Sequence, residues 1–395
     1  MEEAARRVSR RRKYKYSTSR KKGVSAYYDY TLLFITFFMV CFGLIMIYST
    51  SSYVAQRDYN DAAKFVKGQA VAAILGLIAM IVISKFDYRI LRKKLKGFNV
   101  NIAMLLFFLC VFLQFFVLVF GVESHGKKRW INLGFTTFQP SELSKVAIII
   151  FMAYLIQKAP RTLDTLGGFL ICFGISMVLI MPIAIANLST AIIVASIVVG
   201  MCFVASRKTW YYLVFAAAAI VIVVAYIFLG SEAYRAERIA IWQNIETEPK
   251  GYQILQGLYA IASGGLFGTQ LGESKQKLGF IPEAHNDMIF TIICEELGLF
   301  GAVSVILLFI MLLYRVFVIG LNAKDLFGSL ICVGVFVHIA VQVILNIAVV
   351  TNSVPSTGVP LPFISYGGTS VSILMAEIGI VMSVSNQMSG KENDA

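Results

Sequence analysis

A chain of 395 residues that is 58% hydrophobic and only 14% charged is no ordinary soluble domain, in which about a quarter of residues carry charge. With a mean hydropathy of +0.76, it is expected to be an all-α polytopic membrane protein. The net charge of +13 gathers in a tail and short loops, so it speaks for membrane orientation and anionic lipid; no nucleic acid is expected as a partner.

Residues 1–28 form a basic tail with about ten Lys and Arg, and no short apolar core with a small-residue cleavage site follows. The first membrane segment is therefore expected to do the targeting. Apolar segments able to cross a bilayer are predicted at 30–48, 65–84, 99–120, 140–156, 166–182, 187–205, 209–229, 287–313, 326–350 and 363–385. Ten spans place both termini on one side. The tail and the even-numbered loops hold about 23 Lys and Arg against about 11 in the opposite set, so both termini are expected to be cytoplasmic. Loops 121–139, 230–286 and 351–362 then face outward. Residues 29–388 read as one membrane domain, with 230–286 as a large extracytoplasmic loop between the seventh and eighth segments and 389–395 as a short cytoplasmic tail. Inside the large loop, 231–244 is amphipathic enough for a surface helix, and the Gly-rich 251–268 reads as interfacial or re-entrant. The six cysteines lie in apolar segments without metal-ligand spacing, as buried free thiols do.

Three stretches carry candidate chemistry. In 271–298, two lysines, a proline turn, His285 and Asp287 lead straight into an apolar segment. A carboxylate at that boundary has two readings, a functional group or a helix N-cap, a role that suits both Asn286 and Asp287. Glu295 lies about 12 Å further along the helix and some 80° round it, so a structural or gating role is expected for it. In 126–146, Lys127, Lys128 and Arg129 put cationic charge on the outer side, and Glu142 and Lys145 share a helix face three residues apart. Lys145 either satisfies Glu142 or meets a phosphate. In 351–370, three prolines and three glycines make an irregular backbone that survives at membrane depth only against protein or a cavity; Ser365, Tyr366, Gly367 and Gly368, with His285, are expected to line that cavity.

One outward carboxylate among several cations suits a particular reaction class. A glycosidase needs a paired acid and base to protonate its leaving sugar. A sugar leaving from a lipid diphosphate needs only positive charge on the departing group and one base for the acceptor hydroxyl.

The segments GKKRWINLGFTTFQPSELSKVAI, GYQILQGLYAIASGGLFG, SKQKLGFIPEAHNDMIFTIICEELGLFG and TGVPLPFISYGGTS together resemble the SEDS family (shape, elongation, division, sporulation) over residues 28–388. LPFISYGGTS and LGFIPEAHNDMIF are more similar to its FtsW and SpoVE branches than to RodA. The resemblance implies a peptidoglycan glycosyltransferase that polymerises lipid II at the outer face of the bacterial plasma membrane during septal wall synthesis. It assigns Asp287 as general base for the acceptor GlcNAc 4-hydroxyl, with undecaprenyl diphosphate leaving. It offers Lys145, with Arg129, Arg238, Lys277 and Glu142, for substrate and diphosphate binding. The implied partners are lipid II, the growing undecaprenyl-linked strand, a class B penicillin-binding protein and other divisome membrane proteins. A divalent cation, Mg or Mn, is admitted and no organic cofactor, and the sequence shows no dedicated ligand cluster. Two positions depart from the family pattern. Asn187 stands where an acidic residue is usual, and Gln270 stands where a glycine is usual. The competing readings are a lipid II flippase, which the intramembrane Gln114, Glu295, Gln342, Asn346 and Glu377 would also suit, and a non-catalytic divisome scaffold.

Overall fold

The computed structural model describes residues 28–94, 100–124, 127–132, 134, 137–210, 212, 214–215, 217, 241–242, 244–246 and 251–388. Nine helices among these are long and apolar enough to cross a membrane. They are α1 (Tyr30–Tyr59), α2 (Lys64–Lys85), α3 (Ile102–Phe120), α4 (Pro140–Lys158), α5 (Leu166–Ala186), α6 (Leu188–Ala205), α8 (Ile289–Leu321), α9 (Leu326–Val350) and α10 (Gly368–Asn386), with the short amphipathic α7 (Tyr252–Ser263) between α6 and α8. The predicted seventh span falls largely outside the described residues, as do both tails and the surface-helix stretch up to residue 240.

The all-α membrane fold is as expected, and one loop adds a small sheet to it. Loop 121–139 folds as a small antiparallel meander, β1 (Val122–Ser124), β2 (Lys127–Asn132) and β3 (Thr137–Phe138). Trp130, Ile131 and Phe138 supply the side chains that favour a pleated surface, and β2 is tied to helix ends: the Arg129 guanidinium donates to the Ala186 carbonyl at 2.8 Å and Lys128 to that of Val119 at 2.7 Å. Cations there meet the negative ends of the α5 and α3 dipoles.

α4 is the innermost helix. From Pro140 to Ala153 every residue but Leu143 is buried, as expected of a helix apolar on all faces. α2 and α10 lie side by side at a separation set by glycine: a side chain at Gly76 would meet Met375 and Ser372, and one at Gly379 would meet the Met80 backbone. Close approach through small residues is how helices associate where lipid offers no hydrophobic drive. At the far end of the bundle Asp29 pairs with Arg315, and Asp325 takes Arg89, Arg92 and the Tyr88 hydroxyl. Burial, then the bond to Asp325, pushes the Tyr88 pKa up to about 12, so the phenol stays a donor.

α8 is broken at Gly298, whose backbone (φ 66°, ψ −163°) is not helical. The break is filled by the turn after α7. The amides of Thr269 and Gln270 donate to the Glu295 and Glu296 carbonyls, and the amides of Leu299 and Phe300 donate to Gly265 and Leu266. These four bonds give partners to backbone groups at the break, as irregular backbone at membrane depth requires. A side chain on Gly298 would collide with Gly268 and Leu266, and its dihedrals belong to a region essentially reserved for glycine. Gly298→Ala is expected to release the 264–270 turn, read as new protease cleavage within it. Gln270 takes φ 90°, so it keeps a glycine-type turn with a side chain that strains it. Gln270→Gly should raise stability by about 0.5–1 kcal/mol, the left-handed penalty less glycine's lost entropy, seen as a higher unfolding midpoint in detergent.

Candidate functional site

Asp287 sits half-buried at the end of the loop that enters α8. The helix begins one step later than a carboxylate cap would require: Met288 occupies the cap position and its side chain makes no cap bond. Neither Asn286 nor Asp287 is used as an N-cap. The loop is fixed by its backbone and by neighbours. Asn286 donates to Glu283 through both its amide and its side chain, each at 2.9 Å. Asn346 of α9 donates to the Asp287 carbonyl at 2.8 Å, and the Tyr366 amide donates to the His285 carbonyl at 2.9 Å. The carboxylate lies against Gly358, where an added Cβ would stand 3.8 Å from Oδ2. Gly358 also has φ 66°, so glycine there serves both the turn and the space.

His285 is buried between two aromatic rings, Phe65 at 4.4 Å and Tyr366 at 5.4 Å. Desolvation lowers its pKa, so at neutral pH the imidazole is uncharged. It packs the Asp287 loop against α2 and the loop before α10. Tyr366 is half-buried, and burial raises its pKa. Gly367 and Gly368 are also partly exposed, the Gly367 amide donating to Gln69 at 3.0 Å. Ser365 differs from the expectation of a cavity-lining group. It is buried, its hydroxyl accepts the Leu361 amide at 2.8 Å, and it closes the loop from inside.

Glu142 and Lys145 form an ion pair of 2.9 Å in the first turns of α4. Both are buried. Ser370 at the start of α10 donates to the other Glu142 oxygen at 2.7 Å, and Lys145 also donates to Gln342 of α9 at 3.2 Å. These bonds use two of the three donors of the ammonium. Lys277 is a correction. Its ammonium is buried on Glu296 at 2.8 Å with Ser49 at 3.1 Å, so its charge is spent holding the large loop onto α1 and α8. Glu295 does similar work, accepting the Lys275 amide at 2.9 Å and the Ser274 hydroxyl, as its expected structural role requires. Arg129 is directed at the α5 terminus as described above, and Arg238 lies outside the described residues. Asn187 caps α6, accepting the amides of Ser189 and Thr190, which gives the non-acidic residue a structural use.

The model of the family described as "Cell cycle protein", which unites FtsW, RodA and SpoVE, matches residues 30–390. The chain belongs to this family. A probable peptidoglycan glycosyltransferase FtsW from Trichlorobacter lovleyi is 36% identical over 366 residues, covering 91% of this chain and 93% of the relative. Stage V sporulation protein E of Bacillus subtilis is 37% identical over 363 residues, covering 90% and 96%. Among solved structures, a chain from a peptidoglycan synthase complex that coordinates polymerization and crosslinking has a TM-score of 0.76 at 25% identity, covering 92% of this chain and 99% of that one. The rod shape determining protein RodA of Thermus thermophilus shares the fold, with a TM-score of 0.67 at 24% identity and coverages of 92% and 98%.

In this FtsW/SpoVE-like chain, one feature of the site escapes a reading of the sequence. Asp287 and Lys145 are held by the same helix, α9, through Asn346 and Gln342. The signal was available: polar residues at 338, 342 and 346 recur every four positions along an otherwise apolar segment, which stacks them on one face. Among the described residues no three His, Cys, Asp or Glu side chains converge as metal ligands would.

Proposed function

We propose that this protein is a septal peptidoglycan glycosyltransferase that polymerises lipid II at the outer face of the plasma membrane. The observation that carries the reading is that one face of α9 holds both the main-chain carbonyl of half-buried Asp287 and the buried ammonium of Lys145. Asp287 takes the proton of the acceptor GlcNAc 4-hydroxyl. The oxygen attacks C1 of the donor MurNAc, the C1–O bond to phosphate breaks with inversion, and undecaprenyl diphosphate leaves carrying the electron pair. No acid is needed, because the diphosphate departs as a stable anion. The third donor of Lys145 is the group in α4 that can answer the charge growing on that anion; Glu142 and Gln342 hold it in place.

We place the termini on the cytoplasmic side and loops 121–139, 230–286 and 351–362 on the outer side, a reading supported by the distribution of Lys and Arg. The partner is a class B penicillin-binding protein that cross-links the product, within a larger set of divisome membrane proteins. That a similar chain occurs in a solved peptidoglycan synthase complex coordinating polymerization and crosslinking supports that partnership. The test is glycan polymerisation from purified lipid II by wild type and Asp287→Asn, each alone and with the class B partner. Polymer from wild type and none from a folded variant is expected; equal polymer from both would overturn the assignment of the base.

A further inference from the structure

Below Asn346 and Gln342, α9 carries a third polar residue, His338, buried to 1% exposure and facing Glu377 of α10, also 1% exposed. His338 Nδ1 lies 2.9 and 3.0 Å from the two Glu377 oxygens, and Nε2 lies 3.1 Å from Gln342 Oε1. The bonds of Gln342 settle which atom donates. Its amide nitrogen faces the Pro360 carbonyl at 3.0 Å, and a carbonyl only accepts, so that nitrogen is the donor there. Oε1 is then an acceptor, receiving Lys145 Nζ on one side and His338 Nε2 on the other. His338 Nε2 must carry a hydrogen. One further proton lies between Nδ1 and Glu377, on one or the other, and the pair is electrically neutral in either arrangement.

A neutral pair lends Lys145 no charge. What it transmits is orientation. The two carboxylate oxygens hold the ring, the ring holds Gln342 Oε1, and Gln342 holds both the Lys145 ammonium and the Pro360 carbonyl of the loop that leads to Val359. Asn346 donates to that Val359 carbonyl and to the Asp287 carbonyl, each at 2.8 Å. A single helix face therefore sets where the ammonium of α4 and the carboxylate before α8 stand relative to each other. Simple bundle packing needs no such arrangement: apolar residues of similar volume stabilise a core at least as well as buried ionisable ones.

We propose that His338 and Glu377 are positioning residues for the transferase reaction, acting through Gln342 on Lys145. This rests on the reading that Lys145 answers the diphosphate. A misaligned ammonium still attracts a diphosphate that is charged before reaction, but it fails where charge grows in the transition state. The loss should therefore fall on kcat, with KM for lipid II little changed.

The experiment is a double-variant cycle on the full chain with its class B partner, scored as lipid II polymerisation per folded enzyme. His338→Leu and Gln342→Met are each expected to lower kcat about tenfold to a hundredfold, the worth of one hydrogen bond to a charged group. The double variant should match Gln342→Met alone, because both act along one path. Glu377→Gln, whose amide can still hold the ring, should recover most of what Glu377→Leu loses. Multiplying losses in the double variant, unchanged kcat in His338→Leu, or equal losses in Glu377→Gln and Glu377→Leu would each overturn the proposal. If His338→Leu fails to fold, the kcat–KM split in Gln342→Met and the Glu377 pair decide alone. Absence of polymer from wild type would instead overturn the transferase reading itself, and this inference with it.

Discussion

Asp287→Asn is expected to abolish glycan polymerisation while leaving the fold intact. The substitution changes one oxygen to nitrogen and keeps the shape beside Gly358. The backbone carbonyl that Asn346 holds is untouched, and the cap position of α8 is taken by Met288, one residue further on. What disappears is the ability to take a proton. A positioned general base contributes about 10²–10⁴-fold, which in a polymerisation assay that needs many successive transfers reads as no product. Asp287→Glu keeps the base but moves it by a methylene, so a trace of polymer is expected. The unfolding midpoints of both variants should stay within a few degrees of wild type, the usual range for a conservative change at a partly exposed position. A scaffold would behave differently, supporting division as Asp287→Ala.

Much of this site could be read from the sequence, and the limits of that reading have physical causes. The spans were legible because hydropathy is a local property: α9 runs from Leu326 to Val350, as predicted, between Asp325 at its cap and a polar turn. α1 continues past the predicted end to Tyr59 because Ser49, Thr50 and Ser51, polar and so silent to hydropathy, are buried and bonded to Glu296 and to the Met46 and Ile47 carbonyls. The break in α8 was hidden for the opposite reason, since Gly298 is one tolerated residue in an apolar run and only the docked turn makes it a break. Asp287 and Lys145 could be singled out because charge at the membrane boundary is rare. Their relationship could not, because it depends on which α9 residues face them. Lys277 shows the same limit: nothing in its neighbourhood along the chain foretells a buried bond to Glu296, nineteen residues away.

Lys145→Met is expected to lower polymerisation by about a hundredfold or more, the scale for losing one preorganised donor at a developing anion. Taken alone, that result would have two explanations. The ammonium is also the partner of a buried Glu142, and stranding that carboxylate with only Ser370 should cost about 3–5 kcal/mol of stability. A poorly folded enzyme would look inactive for a trivial reason. The double variant Lys145→Met/Glu142→Gln separates the two. It removes both charges, keeps the volumes and leaves Ser370 an amide to bond, so the unfolding midpoint should return most of the way to wild type. Activity should not return with it, because the cation that faces the diphosphate is still missing. Glu142→Gln on its own should retain far more activity than either variant lacking the lysine, since it weakens the anchor and keeps the charge. If the double variant were restored in stability and in turnover together, Lys145 would be a counter-ion to Glu142 and nothing more. The leaving group would then have to find its positive charge elsewhere on the outer face, with Arg129 the first residue to test.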